Sequence, residues 1–257
     1  MNIAILSDTY HPQINGVVTS ILTFAETFRK LGHQVLIMGP KIQGAEETHD
    51  VWRLRSVVFP FQPEYRLIWP VTRKVKAFGE RNIDIIHAQT PFSVGLLGQY
   101  LGRKYRIPVI HTYHTLFSEY MHYVPIIPTN LADKAVSTVS RLFCNRCQTI
   151  VVPSALIKDK LMEYGVKKTI KILPTGIALD TIQAIQTPAD FKSRLGFEDT
   201  HRVLIFVGRL GLEKNVQFLI KSFAMIHHKL PDTRLLIIGD GPEKENMKTT
   251  ASQLGIG

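Results

Sequence analysis

Short runs of aliphatic and β-branched residues alternate along the chain with longer stretches in which apolar positions recur every three to four residues. The runs at 2–6, 34–38, 83–87, 109–112 and 149–152 are strand-length and continuously hydrophobic, the pattern of strands buried on both faces. Between them, 16–31, 71–81, 92–105, 130–145 and 154–164 carry the helical period. A strand followed by a helix, repeated, predicts a doubly wound α/β layer, with ligands bound beyond the carboxyl ends of the strands.

The pattern then restarts. After a short run at 170–173, the segments LPTGI and QTPADF carry the Pro and Gly of a linker. A strand at 202–207, a helix at 213–229, a strand at 234–238 and a helix at 242–254 follow. Two strands and two helices are fewer than a doubly wound domain needs, so the second unit is expected to be partial. No short-period repeat or low-complexity tract interrupts either unit.

Composition changes the picture at three points. The chain has 257 residues, 45% of them hydrophobic, enough for a substantial core. No apolar run approaches the roughly 20 residues that span a bilayer. The start MNIAILSDTY lacks a basic end, and Asp8 breaks its apolar run too early for a secretory signal, so it reads as the first strand of a cytoplasmic protein. Two cysteines fit a reducing compartment. Cys144 and Cys147 form a C-x-x-C late in a helix rather than at its start, which favours packed thiols over a redox pair. The formal charge of +10 calls for an anionic partner. Scattered cations with no Lys/Arg run and no zinc-finger or RNP motif argue against nucleic acid.

Four constellations fall at predicted strand exits. In SDTYHPQINGVVTSI, Asn15-Gly16 supplies a backbone tolerant of positive φ before a helix N-terminus, a place for a phosphate or simply a turn. In IPVIHTYHTLFSEYMHY, His111 and His114 are interleaved with Tyr113, Tyr120 and Tyr123, a lining suited to a polyol or an amphipathic acceptor. No nearby carboxylate or cysteine completes a metal site with the histidines. In FVGRLGLEKN, Arg209 and Lys214 stand between a strand and a helix start, where two cations and a helix dipole act on one diphosphate; the alternative is a solvated turn with Glu213 neutralising one of them. In LLIIGDGPEKENM, Gly239 to Pro242 make a tight turn that forms a wall of a cleft.

Taken in order, SDTYHPQINGVVTSI, IHTYHTLFSEYMHY, VVPSALIKDKLMEYGV, ILPTGI, FVGRLGLEKN and IIGDGPEKENM resemble glycosyltransferase family 4 along the whole chain. The HTYHTLFSEYMHY segment is most similar to bacterial diacylglycerol glycosyltransferases. The resemblance implies a GT-B fold: a complete N-terminal Rossmann-like acceptor-side domain at 1–180, then a linker and a partial nucleotide-sugar-binding domain at 181–257. It implies that Gly16 approaches the donor phosphate, that His114 is the active-site histidine beside the transferred sugar, and that Arg209 and Lys214 hold the donor diphosphate. Those roles make a divalent metal or other cofactor unnecessary. Retention of anomeric configuration, a UDP-linked donor and a lipid acceptor are expected with them. The family's Glu, seven residues, Glu pattern is not met before Gly257, so weak or no activity is expected of these 257 residues alone.

The expected protein is therefore a hexosyltransferase, peripheral at the inner face of the membrane, with the basic stretch 71–81 (Arg73, Lys74, Lys76, Arg81) as one contact for anionic headgroups or merely a solvated face. Transfer to a soluble acceptor, or a non-catalytic sugar- or lipid-binding remnant, are the rival readings. NAD-dependent oxidoreduction lacks its G-x-G-x-x-G here.

Overall fold

The computed structural model describes residues 1–58, 66–68, 73–114, 129–177, 179, 188 and 190–257, with the side chains of 73 and 129–132 left aside. The chain divides into two compact units, Met1–Ala178 and Leu179–Gly257. In the first, β1 (Asn2–Leu6), α1 (Gly16–Lys30), β2 (Gln34–Pro40), β3 (Val51–Leu54), β4 (Ser56–Val58), β5 (Arg66–Ile68) and α2 (Arg73–Phe78) come first. They lead into β6 (Ile85–Ala88), α3 (Ser93–Tyr105), β7 (Val109–Thr112), α4 (Thr129–Cys144), β8 (Thr149–Val152), α5 (Ala155–Glu163) and β9 (Thr169–Ile172). Seven of these strands form one sheet in the order β3-β2-β1-β6-β7-β8-β9, each neighbour parallel.

The continuous apolar runs are explained by how each strand divides its side chains. Ile3, Ile5, Val35 and Ile37 join one core with Val17, Val18, Ile21 and Ala25 of α1. Ala4, Leu6, Leu36 and Met38 point the other way, into a second core with Val94, Leu97 and Leu101 of α3. Each such side chain contributes about 1.5–3 kcal/mol by leaving water.

Close packing of α3 depends on its glycines. A Cβ at Gly95 would stand 1.9 Å from the Thr90 carbonyl oxygen, and one at Gly102 2.4 Å from Val109 Cγ2. Each glycine costs the helix up to about 1 kcal/mol against alanine, and here it lets the helix lie directly on the sheet.

The strand order reverses at β1. The chain moves outward through β2 and β3, then returns to β6 on the other side, so the topological switch lies between the carboxyl ends of β1 and β6. The hydrophobic pattern missed β3 because Arg53 interrupts it. That side chain is buried at 6% exposure, its guanidinium donating to the Glu46 and Pro40 carbonyls and lying 4.9 Å from the centre of the Tyr10 ring. The short antiparallel pair β4–β5 gave no signal either.

The second unit contains α6 (Phe191–Arg194), β10 (Arg202–Val207), α7 (Val216–Lys229), β11 (Thr233–Ile238) and α8 (Lys244–Gln253). Strands β10 and β11 pair in parallel. Val216, Ile220, Met247 and Leu210 form the core under the helices. On the opposite face, Ile205, Val207 and Ile238 are exposed. One boundary differs from expectation: the helix predicted from residue 213 begins at Val216. Leu212–Lys214 is a separate 3₁₀ turn, and Asn215, at φ 48°, breaks the two apart. Asparagine tolerates that left-handed conformation better than most residues, so the break falls there.

Candidate functional site

At the switch point, Asp8 follows β1 fully buried and crosses to the segment after β6. Its carboxylate accepts hydrogen bonds from Thr90 Oγ1 at 2.6 Å, Ser93 Oγ at 2.5 Å and the Val94 backbone N–H at 2.9 Å. Its own backbone N–H donates to Thr90 Oγ1 at 2.9 Å. The carboxylate thus caps the first turn of α3 from another strand. Burial pushes its pKa up, against hydrogen bonds from Ser93, Thr90 and the Val94 and Gly95 backbones that favour the charged form. Nothing local in the sequence marks Asp8, because the hydroxyls it meets lie more than 80 positions away.

Beside it, Gln89 is tied to β1 by its backbone N–H, which donates to the Leu6 carbonyl at 2.8 Å. Its Oε1 accepts the Nε2–H of His114 at 2.5 Å. Its Nε2 lies 3.1 Å from His87 Nε2, which is 2.7 Å from Thr112 Oγ1. The result is a row of polar groups across the exits of β6 and β7, ending in the partly buried His114. Sequence reasoning missed Gln89, whose only signal was its place directly after a buried strand.

All three histidines of this region are neutral near pH 7. Desolvation lowers His87 to about 3, reinforced by the neighbouring imidazoles, and lowers His111 and His114 each to about 4. His111 sits inside β7 with no exposure, its Nδ1–H donating to the Ala88 carbonyl at 2.9 Å and its ring 4.8 Å from that of Phe143. His114 lies just past the strand. Tyr113 is buried, its hydroxyl 2.9 Å from Ser140 Oγ on α4. Tyr120 and Tyr123 lie outside the described residues.

The loop after β1 departs from one expectation. Asn15 is extended at φ −158°, and its Oδ1 accepts the Val18 N–H at 3.0 Å, so it caps α1 in the ordinary way. Gly16 opens the helix without a positive φ, and a Cβ there would meet nothing within 4 Å. Neither strain nor crowding inside the unit calls for glycine; its consequence is open space over the first turn of α1. Gly16 and His114 therefore share the carboxyl edge of one sheet, with β6 between their strands.

In the second unit, Arg209 follows β10 half-buried, and Lys214 ends the 3₁₀ turn exposed. No side chain caps the first turn of α7, whose N–H groups open beside Lys214. The loop bearing Arg209 is clamped by the turn after β11. Gly208 N–H donates to the Ile238 carbonyl at 3.0 Å, and Leu210 N–H to the Asp240 carbonyl at 2.9 Å. A Cβ at Gly239 would stand 1.9 Å from the Gly208 carbonyl oxygen. The Gly239 to Pro242 turn, read from sequence as a wall, is a buttress for the Arg209 loop.

The basic stretch 71–81 is less free than its sequence suggested. Residues 71 and 72 lie outside the described residues, and α2 runs only Arg73–Phe78. Lys74 pairs with Glu47 and donates to the Arg53 carbonyl, while Arg81 donates to His49 and stacks over Trp52. Lys76 remains exposed. Cys144 and Cys147 are buried thiols, raised by desolvation to about 12 and about 11. Among the described residues, no group of three or more His, Cys, Asp or Glu is arranged to hold a metal ion, and no helix is long and apolar enough to cross a membrane.

A seven-stranded parallel sheet followed by a second parallel α/β unit, each presenting polar groups at its strand exits, is the architecture of the GT-B class. Solved structures agree: sucrose-phosphate synthase from Thermosynechococcus elongatus superposes over 100% of this chain and 68% of its own, with a TM-score of 0.68 at 18% identity. The profile for Glycosyltransferase Family 4 matches residues 14–181, and that for Glycosyl transferases group 1 matches 189–257. The chain belongs to glycosyltransferase family 4. It is 33% identical to an alpha-monoglucosyldiacylglycerol synthase of Streptococcus pneumoniae and 32% identical to one of Acholeplasma laidlawii, over 100% and 95% of its length. It spans 59% and 64% of the lengths of those relatives.

Proposed function

We propose that the protein is a retaining hexosyltransferase that carries a hexose from a UDP-linked sugar to a lipid acceptor such as diacylglycerol at the inner face of the membrane. The observation that carries the donor half is the placement of Arg209 and Lys214 on one buttressed connection beside an uncapped helix N-terminus. Two cations on one short connection before a helix N-terminus that no side chain caps suit the diphosphate of a leaving nucleotide. The acceptor half rests on the two relatives named alpha-monoglucosyldiacylglycerol synthase.

In this reading Arg209 and Lys214 stabilise the charge that grows on the diphosphate as the bond from sugar C1 to phosphate oxygen breaks, so no divalent metal is required. The acceptor hydroxyl oxygen bonds C1 on the face the diphosphate leaves, and its proton passes to a departing phosphate oxygen. The open space at Gly16 admits a donor phosphate close to the start of α1. His114, neutral and fixed by Gln89, offers hydrogen bonds to the sugar without adding charge.

The test is an assay with radiolabelled UDP-glucose, UDP-galactose and GDP-mannose, each with diacylglycerol vesicles and with soluble acceptors, on the protein expressed from its complete reading frame. Label from a UDP-sugar should enter the organic phase. Transfer only to soluble acceptors, or only from GDP-mannose, would overturn the proposal.

A further inference from the structure

At the amino edge of the first sheet, opposite the strand exits, a groove of about 340 Å³ opens among the starts of β1 and β2, the end of α1 and the stretch before β6. That volume lies within the range of small-molecule sites, roughly 300–1,000 Å³. Its polar lining is Asn2, Arg29, His33, His49, Asp50 and Arg81, with Gln34 at the start of β2. The charged groups are two guanidiniums against one carboxylate.

Arg81 is held in place. Its Nη1 donates to His49 Nε2 at 3.0 Å, its Nη2 donates to the His49 carbonyl at 3.3 Å, and its guanidinium lies 5.1 Å from the centre of the Trp52 ring. Because His49 accepts at Nε2, it is its Nδ1–H that donates to Asp50 Oδ1 at 3.0 Å. The single carboxylate is thereby engaged by the imidazole and not by an arginine. Arg29 makes a long contact to the Val35 carbonyl at 3.4 Å. Among the described residues neither arginine forms an ion pair with a carboxylate. Two guanidiniums thus line one groove, one of them held by His49 and Trp52, and a planar guanidinium matches the geometry of phosphate oxygens.

We propose that this groove binds a phosphate group, as a site separate from the donor diphosphate site of the second unit. Arg29 and Arg81 supply the charge-assisted donors, and His33 and Asn2 complete the polar wall. The phosphate belongs either to a free phosphate compound or to the headgroup of an anionic lipid, two sources with the same chemistry.

The experiment is titration calorimetry with inorganic phosphate on the whole chain carrying Arg209→Gln and Lys214→Gln, which removes the second unit's cations from the reading. Saturable binding is expected, and the imidazole NMR signals of His33 and His49 should move with it. Adding Arg29→Gln and Arg81→Gln should weaken binding at least about tenfold, the loss expected from removing hydrogen bonds to a charged group. Asp50→Asn should tighten it about two- to fivefold by removing the opposing charge, a gain that a misfolded variant does not give. Flotation on phosphatidylcholine vesicles, with and without phosphatidylglycerol, separates the sources. Retention on anionic vesicles that the paired arginine substitutions abolish identifies a lipid headgroup, and retention they leave unchanged identifies a free phosphate. No saturable phosphate binding, or binding indifferent to the arginines, would overturn the site.

Discussion

Gln89 Oε1 accepts the Nε2–H of His114 at 2.5 Å and so fixes the imidazole as the tautomer whose Nδ1 bears the free electron pair. Burial keeps that ring neutral, at about 4. Gln89→Leu should therefore lower turnover about five- to a hundredfold, the range expected for losing one oriented hydrogen bond of about 1–3 kcal/mol. Gln89→Glu places a carboxylate beside the ring, favours its protonated form and should move the acid limb of the pH–rate profile upward. A merely structural Gln89 would change the melting temperature in both variants and leave the profile where it was.

The two histidines after Val109 should separate by readout. His114→Ala is expected to lower turnover more than stability, because its ring stands at the sheet edge. His111 is wholly buried against Phe143, so His111→Ala should cost about 2–4 kcal/mol in denaturant unfolding. A stable, inactive His111→Ala beside an unfolded His114→Ala would reverse the assignment.

Stability should fall in mild acid. The folded pKa values of His87, His111 and His114, about 3, 4 and 4, lie below the unfolded value of 6.5. The fold thus favours their neutral forms: their contribution is complete above pH 6.5 and is lost as pH falls toward 4. Each withdraws up to about 1.4 kcal/mol per pH unit over its window. Asp8 works the other way, since its raised pKa makes the folded state the better proton binder just above pH 3.8, but it is one group against three. Denaturant midpoints should hold from pH 7.5 to about 6.5 and then drop down to pH 4.5, less so in His111→Gln. A flat profile would contradict this account.

Gly239→Ala tests the buttress under Arg209. With a Cβ forced to 1.9 Å from a backbone oxygen, the two turns must separate, at a cost of about 3 kcal/mol or more. The second unit should lose protection in amide exchange while the first retains it. Wild-type protection at Leu210 would show that the clamp is not needed.

Most of the first sheet was legible because its strands are buried on both faces, which writes continuous apolar runs into 2–6 and 109–112. β3 was not, because buried Arg53 finds carbonyls and a ring that only the folded chain supplies. Within the candidate site, residues tied to a strand exit by local order, His114 and Arg209, could be picked from sequence. Asp8 and Gln89 act through partners more than 20 positions away, and nothing local marks such pairings. The start of α7 was misplaced because apolar periodicity runs through Lys214 and cannot register the left-handed turn at Asn215.

The proposed role of Arg209 and Lys214 is to stabilise the diphosphate leaving a sugar bound for a lipid. The most direct measurement is transfer of label from UDP-glucose to diacylglycerol by the protein from its complete reading frame, compared with folded Arg209→Ala and Lys214→Ala variants. We expect label in the lipid phase, and a loss of about 10²–10³ in turnover for each variant, as when one preorganised donor to a developing charge is removed. Turnover near wild type in both folded variants would contradict it.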